Sequence, residues 1–188
     1  DSKTLPKVES MTPNPKSPYA LTKYAGEVYL KQFHDLFGLE TLSIRYFNVF
    51  GPRQTPDSEY SAVIPKFIKF ISEDKTPVIY GDGTQSRDFT FIKNVVHANI
   101  LAAKANVTKG EVINVACNDR IDLNELAKKL NVILNKNLEP TYDEPRLGDV
   151  KHSQADINKA KLLIGYEPIV DFETGLKMTV DWYCKISN

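Results

Sequence analysis

Apolar positions recur at helical spacing from Pro18 to about Phe37, where Pro18 suits a first helical turn and Gly38 supplies a stop. Residues 40–47 then alternate and are rich in β-branched and aromatic side chains, which predicts a strand. Residues 48–60 hold Gly51, Pro52 and Pro56 and read as a loop. Residues 62–71 return to helical spacing, with Val63, Phe67, Phe70 and Ile71 as the expected core stripe. A strand over 77–80 closes on the turn Gly81-Asp82-Gly83, a helix follows over 92–105, and a strand over 111–116. Asp122 is a suitable N-cap for a helix over 123–134. Asp156 opens a short helix that Gly165 stops, and Asp171 opens the last one, which runs to about Lys185. Four prolines, at 6, 13, 15 and 18, give residues 1–18 an extended path. Helices and strands alternate, which is the α/β pattern.

Composition narrows the class of protein. The chain has 188 residues, with 24 Lys+Arg against 24 Asp+Glu, so its net charge is zero. That balance argues against a polybasic nucleic-acid partner or a membrane-surface role. Hydrophobic residues make up 41%, enough for a core. Cys117 and Cys184 give no disulfide framework, and no Cys/His cluster suggests a metal, so a reducing cytoplasm is the expected compartment. No apolar run reaches membrane-spanning length. The chain opens at Asp1 rather than at Met, and we expect a further segment to precede it.

The most informative stretch is Tyr19-Ala20-Leu21-Thr22-Lys23. On a helix, an i, i+4 spacing places the phenol of Tyr19 and the ammonium of Lys23 on one face. A neighbouring positive charge favours the phenolate, and such a tyrosine can move a proton at a sugar hydroxyl or carbonyl. The surrounding run, Ser17-Pro18-Tyr19-Ala20-Leu21-Thr22-Lys23-Tyr24-Ala25-Gly26-Glu27, resembles the active-site helix of the extended short-chain dehydrogenases, the NAD-dependent sugar-nucleotide epimerases and dehydratases.

Three further blocks follow in family order. Arg45-Tyr46-Phe47-Asn48-Val49-Phe50-Gly51-Pro52-Arg53-Gln54 resembles the strand and loop that pass the nicotinamide. The resemblance places Phe47 and Val49, with Tyr19 and Lys23, at the cofactor NAD, and lets the Asn48 side chain donate to a substrate phosphate oxygen. Val78-Ile79-Tyr80-Gly81-Asp82-Gly83-Thr84-Gln85-Ser86-Arg87-Asp88-Phe89 resembles the segment in which Val78 and Tyr80 border the uracil and Arg87 grips the pyrophosphate. Pro145-Arg146-Leu147-Gly148-Asp149-Val150-Lys151-His152-Ser153 resembles the R-x-G-D segment, where Arg146 would bind diphosphate and Asp149 the uridine ribose. Planar arginines on separate loops suit a diphosphate, which they clamp with paired N–H donors. Val63 joins the same substrate wall. The run Tyr60-Ser61-Ala62-Val63-Ile64-Pro65-Lys66-Phe67 is most similar to the UDP-hexose 4-epimerases. A small Ser153 leaves room beside the sugar 2-substituent, as in UDP-N-acetylglucosamine 4-epimerases.

One family feature is absent. None of the nine glycines forms the G-x-x-G-x-x-G turn that cradles the cofactor pyrophosphate, and the family's substrate-polarising Ser/Thr has no counterpart here. The expected fold is therefore α/β, the C-terminal part of a Rossmann-type, doubly wound domain plus a small α/β substrate-binding domain. Residues 1–48 would be the Rossmann remnant. Residues 49–188 would mainly bind the sugar nucleotide, with 84–116 returning to the Rossmann sheet. The resemblance implies NAD-dependent 4-epimerisation of a UDP-sugar, with homodimerisation through the Tyr19 helix. Isolated, the chain would be inactive and prone to aggregate. The alternatives are a UDP-sugar decarboxylase or 4,6-dehydratase of the same family, or a module that only binds nucleotide sugars. Of the histidines, His34 reads as a surface residue and His97 as structural.

Overall fold

A computed structural model describes residues 4–56, 63–105, 108–145 and 150–186. The first helix, α1 (Pro18–Phe37), begins where the punctuation predicts. Ser17 is extended and its hydroxyl accepts from the Ala20 N–H at 3.1 Å. Gly38 closes the helix at φ 67°, donating its N–H to the His34 carbonyl at 2.8 Å. The chain then enters β1 (Leu42–Tyr46), which pairs in parallel with β6 (Glu111–Val115).

A parallel pair needs a long crossover. This one contains β2 (Val49–Phe50), α2 (Val63–Ser72), β3 (Val78–Tyr80), β4 (Ser86–Arg87), β5 (Thr90–Phe91) and α3 (Ile92–Ala103). After β6 come β7 (Ile121–Asp122), α4 (Leu123–Leu134), β8 (Thr141–Asp143), α5 (Asn158–Ile164) and α6 (Phe172–Ile186). The short strands pair across long distances: β2 with β5 and β3 with β8 in parallel, β4 with β7 antiparallel.

The core forms two clusters. The larger joins Ile64, Phe67, Ile68 and Ile71 of α2 to Leu126 and Leu130 of α4 and Leu176 and Val180 of α6. A knot of rings sits beside them, with Phe50 centred 5.5 Å from both Phe91 and Phe172. Helix α6 can lie on that knot because position 175 is glycine: a Cβ there would come within 2.8 Å of the Phe91 ring. The smaller cluster holds Ala98 of α3, Ile113 and Val115 of β6, Ala160 and Ile164 of α5, and Tyr166. Helix α1 buries none of its residues. It is tied to β1 by polar contacts, among them the Thr41 hydroxyl donating to the Leu30 carbonyl at 2.8 Å.

Several expectations shift. The buried stripe of α2 is Ile64, Phe67, Ile68 and Ile71, at helical spacing from position 64, whereas Val63 is only half-buried and Phe70 is 37% exposed. The 48–60 loop contains β2. Asp122 and Asp171 cap as expected, accepting from Glu125 N and Thr174 N, each at 2.7 Å. Ile157, not Asp156, occupies the N-cap of α5, and Asp156 instead accepts from the Asn158 N–H at 2.8 Å. His34 is half-buried, its Nδ1 lying 3.0 Å from the Leu39 carbonyl. Among the described residues, no helix is long and apolar enough to cross a membrane.

Candidate active site

Consecutive residues line two different cavities where the chain leaves β1. Phe47 still follows the sheet, donating its N–H to the Val115 carbonyl at 3.2 Å. Asn48 then turns through φ 34°, a left-handed backbone that asparagine tolerates better than most residues. Its carbonyl accepts from Thr90 N at 3.2 Å, which starts the β2–β5 ladder. Phe47 lines the first cavity, and Asn48 and Val49 line the second.

The first cavity, of about 820 Å³, is lined by Tyr19 and Lys23 of α1 as well as by Phe47. Tyr19 is 69% exposed. The Lys23 Nζ lies 5.3 Å from the centre of its ring, within cation–π range. One turn further, Glu27 receives a two-pronged hydrogen bond from Arg45 of β1, Nε to Oε1 and Nη2 to Oε2, each 2.7 Å. That bond raises the Arg45 pKa above its ordinary value against the opposing effect of burial. The far wall is held by Asn114, whose N–H donates to Glu9 Oε1 at 2.7 Å and whose amide donates to the Lys7 carbonyl at 3.0 Å.

The second cavity, of about 660 Å³, brings together Asn48, Val49, Val63, Val78, Tyr80 and Arg87. Lys66 and Phe70 also line it, so the residues that left the α2 stripe face this space. Arg87 Nη1 donates to the Ser86 and Lys151 carbonyls at 3.0 and 3.2 Å, which fixes one side of its fork. Segment 151–153 runs along β4: Ser86 N donates to the Lys151 carbonyl and Ser153 N to the Ser86 carbonyl, each at 2.9 Å. This delivers Ser153 to Asn48. The Asn48 amide nitrogen donates to the Asp88 carbonyl at 3.0 Å and to the Ser153 hydroxyl at 3.3 Å. Both amide hydrogens thus have partners within the chain. Arg146 and Asp149 lie outside the described residues, as do Tyr60, Ser61 and Ala62.

Asp88 was not singled out by the sequence, where it looks like any polar residue beside Arg87. It is fully buried. Its Oδ1 accepts from Cys117 N at 2.9 Å and its Oδ2 from Ala155 N at 3.1 Å. Burial outweighs these donors and pushes its carboxyl up to about 6. Burial, and then the Asp88 charge, push the Cys117 thiol up to about 11, which makes that cysteine inert rather than nucleophilic. Glu27 and Arg45 were likewise unassigned. Their signal was the eight-residue step from Tyr19 to Glu27 along one helix face.

Residues 1–116 match the NAD dependent epimerase/dehydratase family, and the chain belongs to that family. It is 39% identical over 178 residues to a putative UDP-glucose 4-epimerase of Methanocaldococcus jannaschii, covering 95% of this chain and 57% of the relative. Among solved structures, it superposes with a TM-score of 0.94 on a UDP-N-acetylglucosamine 4-epimerase of Methanobrevibacter ruminantium, at 44% identity, covering 98% of this chain and 59% of that one. The UDP-glucose 4-epimerase of Thermotoga maritima gives a TM-score of 0.95 at 38% identity, covering 100% of this chain and 60% of that one. A UDP-glucuronic acid 4-epimerase of Bacillus cereus, 33% identical, was solved with UDP-glucuronic acid and NAD. A UDP-N-acetyl-alpha-D-glucosaminuronate decarboxylase of Bacillus cytotoxicus is 32% identical. The fold is thus the expected α/β, Rossmann-type architecture in part, and the chain spans a little over half the length of the relatives it matches.

Proposed function

We propose that the protein to which this chain belongs is an NAD-dependent UDP-hexose 4-epimerase. One observation carries the reading: a cavity holding the Tyr19–Lys23 pair and a cavity edged by Arg87, Tyr80 and Val78 are lined by consecutive residues, Phe47 and Asn48. A reacting sugar placed at that junction would have its base on one side and its nucleotide anchor on the other. The residues present fit the nicotinamide–ribose end of the cofactor, where Lys23 would hydrogen-bond the ribose and Phe47 would border the ring, whereas Val49, expected there from the sequence, lines the second cavity. The pyrophosphate cradle has no counterpart in this sequence. When bound, NAD would accept the sugar C4 hydride and return it to the opposite face.

Tyr19 takes the proton of the 4-hydroxyl and gives it back after the sugar has turned. Lys23 holds its ammonium beside the Tyr19 ring. Arg87, with Arg146, holds the diphosphate so that the hexose can rotate without leaving. Asp149 takes the uridine ribose. Asn48 accepts from a sugar hydroxyl through Oδ1, and Ser153 leaves space beside the 2-substituent, which supports an N-acetylhexose among the substrates. Residues 1–48, with 84–116 returning to the same sheet through β6, make up mainly the cofactor side, apart from Asn48 and Arg87, and the rest mainly the sugar-nucleotide side. The apolar face of α1, with Tyr29, Phe33 and Leu36, supports a homodimer. Two free cysteines support a cytoplasmic setting.

The test is conversion of UDP-N-acetylglucosamine and UDP-glucose to their 4-epimers by the full-length protein. Release of carbon dioxide from a UDP-uronate would favour the decarboxylase reading that the 32% relative raises, and a 4-keto-6-deoxy product the dehydratase. For the isolated chain we expect UDP-sugar binding, no turnover and a tendency to aggregate. Turnover by a verified 21.2 kDa species would overturn that expectation.

A further inference from the structure

One face of α1 carries a ladder at four-residue steps: Tyr19, Lys23, Glu27, Lys31 and Asp35. On a free helix the charges would pair along the ladder, and Glu27 would have Lys23 on one side and Lys31 on the other. The fold pairs them differently. Lys31 bonds Asp35, its stem packed against Gly110, where a Cβ would lie 2.7 Å from the Lys31 Cδ. Glu27 is taken from across the sheet by Arg45, and its side chain keeps only 17% of its exposure. The count of charges then leaves one cation over. Lys23 forms no ion pair among the described residues, and its ammonium stands by the Tyr19 ring.

We propose that Arg45 is a positioning residue: by holding Glu27 it keeps Lys23 out of the helix ladder and commits it to Tyr19. The guanidinium fork suits this task. It donates to both Glu27 oxygens in one fixed planar geometry, where an ammonium offers a point charge with freely rotating donors. The consequence for turnover rests on the reading of Tyr19 and Lys23 given above. The exchange of partners does not, and it can be read without any turnover.

The experiment is pulse acylation of lysines with acetic anhydride, read by mass spectrometry, with exposed Lys177 as internal standard. In Arg45→Met, Glu27 loses its partner and draws on Lys23, and the Lys23 acylation rate falls about threefold. Glu27→Gln leaves that rate unchanged, and the Arg45→Met/Glu27→Gln pair restores it. An unchanged rate in Arg45→Met, a fall at Lys31 alone, or a double variant as slow as Arg45→Met would each overturn the proposal. If Arg45→Met does not fold, Arg45→Lys replaces it. That variant keeps a charge without the fork, and a Lys23 rate equal to wild type would then count against the proposal. In the full-length protein, Arg45→Met should lower kcat with KM for the UDP-sugar retained, and the double variant should recover kcat. A wild type without turnover would defeat the epimerase reading and leave the acylation result standing.

Discussion

The larger hydrophobic cluster is packed from three helices around a knot of rings. Helices α2, α4 and α6 each bury a face, and the Phe50, Phe91 and Phe172 rings fill the space between them. The smaller cluster covers β6 with α3 and α5, yet α1, 20 residues long, buries nothing and shows Leu36 and Phe37 at 73% and 72%. The two candidate cavities divide along the same line. The one with Arg87 and Tyr80 stands on the densely packed side, and the one with Tyr19 and Lys23 on the sparsely packed side. The two cavities therefore stand on supports of unequal packing, and perturbations should separate them.

The largest separation should come from Tyr19→Phe. In the full-length protein, turnover should fall by roughly 10²–10⁴-fold while UDP-sugar affinity stays within about twofold. Equal losses in turnover and calorimetric affinity would join what the comparison divides. Next come two leucines. Leu126→Ala, in the larger cluster, should cost about 2–5 kcal/mol in chemical denaturation of this chain. Leu36→Ala on α1 should cost less than about 0.5 kcal/mol. Similar costs at both sites would mean that α1 is packed in solution.

Asp88 sits between the clusters and gives a pH signature. Its folded pKa, about 6, stands above the ordinary carboxylate value, so the native state holds that proton more tightly than the unfolded chain. Its contribution is fully present below about pH 4 and is lost as pH rises through 6. Denaturation midpoints measured across that window should show a falling component that Asp88→Asn flattens. The smallest effect compares two helix caps. Asp122→Ala opens α4 on the packed side and should cost about 1 kcal/mol, whereas Ser17→Ala should shift the melting of the chain by less, because α1 carries little of the folded state's burial.

What could be read from the sequence follows the range of the interactions. Helix starts and stops are local, so Ser17-Pro18, Gly38, Asp122, Asp171 and Gly165 marked true boundaries. Strands of two residues carry no period, and β8 is exposed along its whole length, so β2, β4, β5, β7 and β8 show only through partners far along the chain. The cavities follow the same rule. Tyr19 and Lys23 share a face by spacing, and Val63, Val78, Tyr80 and Arg87 converge as the motif order implies. Hidden were the contacts that need three dimensions: Asp88 gathering backbone donors from Cys117 and Ala155, Arg45 reaching Glu27, and Ser153 consuming an Asn48 hydrogen.

The β1–β6 pairing has a further consequence during biosynthesis. Leu42 is registered with Glu111, so β1 leaves the ribosome well before its partner strand exists. At about 5–20 residues per second the delay is on the order of 3–14 s, longer than most elementary folding steps. For that interval the strand's backbone donors and acceptors toward β6 wait unpaired beside an amphipathic α1, the kind of nascent segment that holdase chaperones shield. The order of synthesis thus exposes the β1 edge before the strand that completes it.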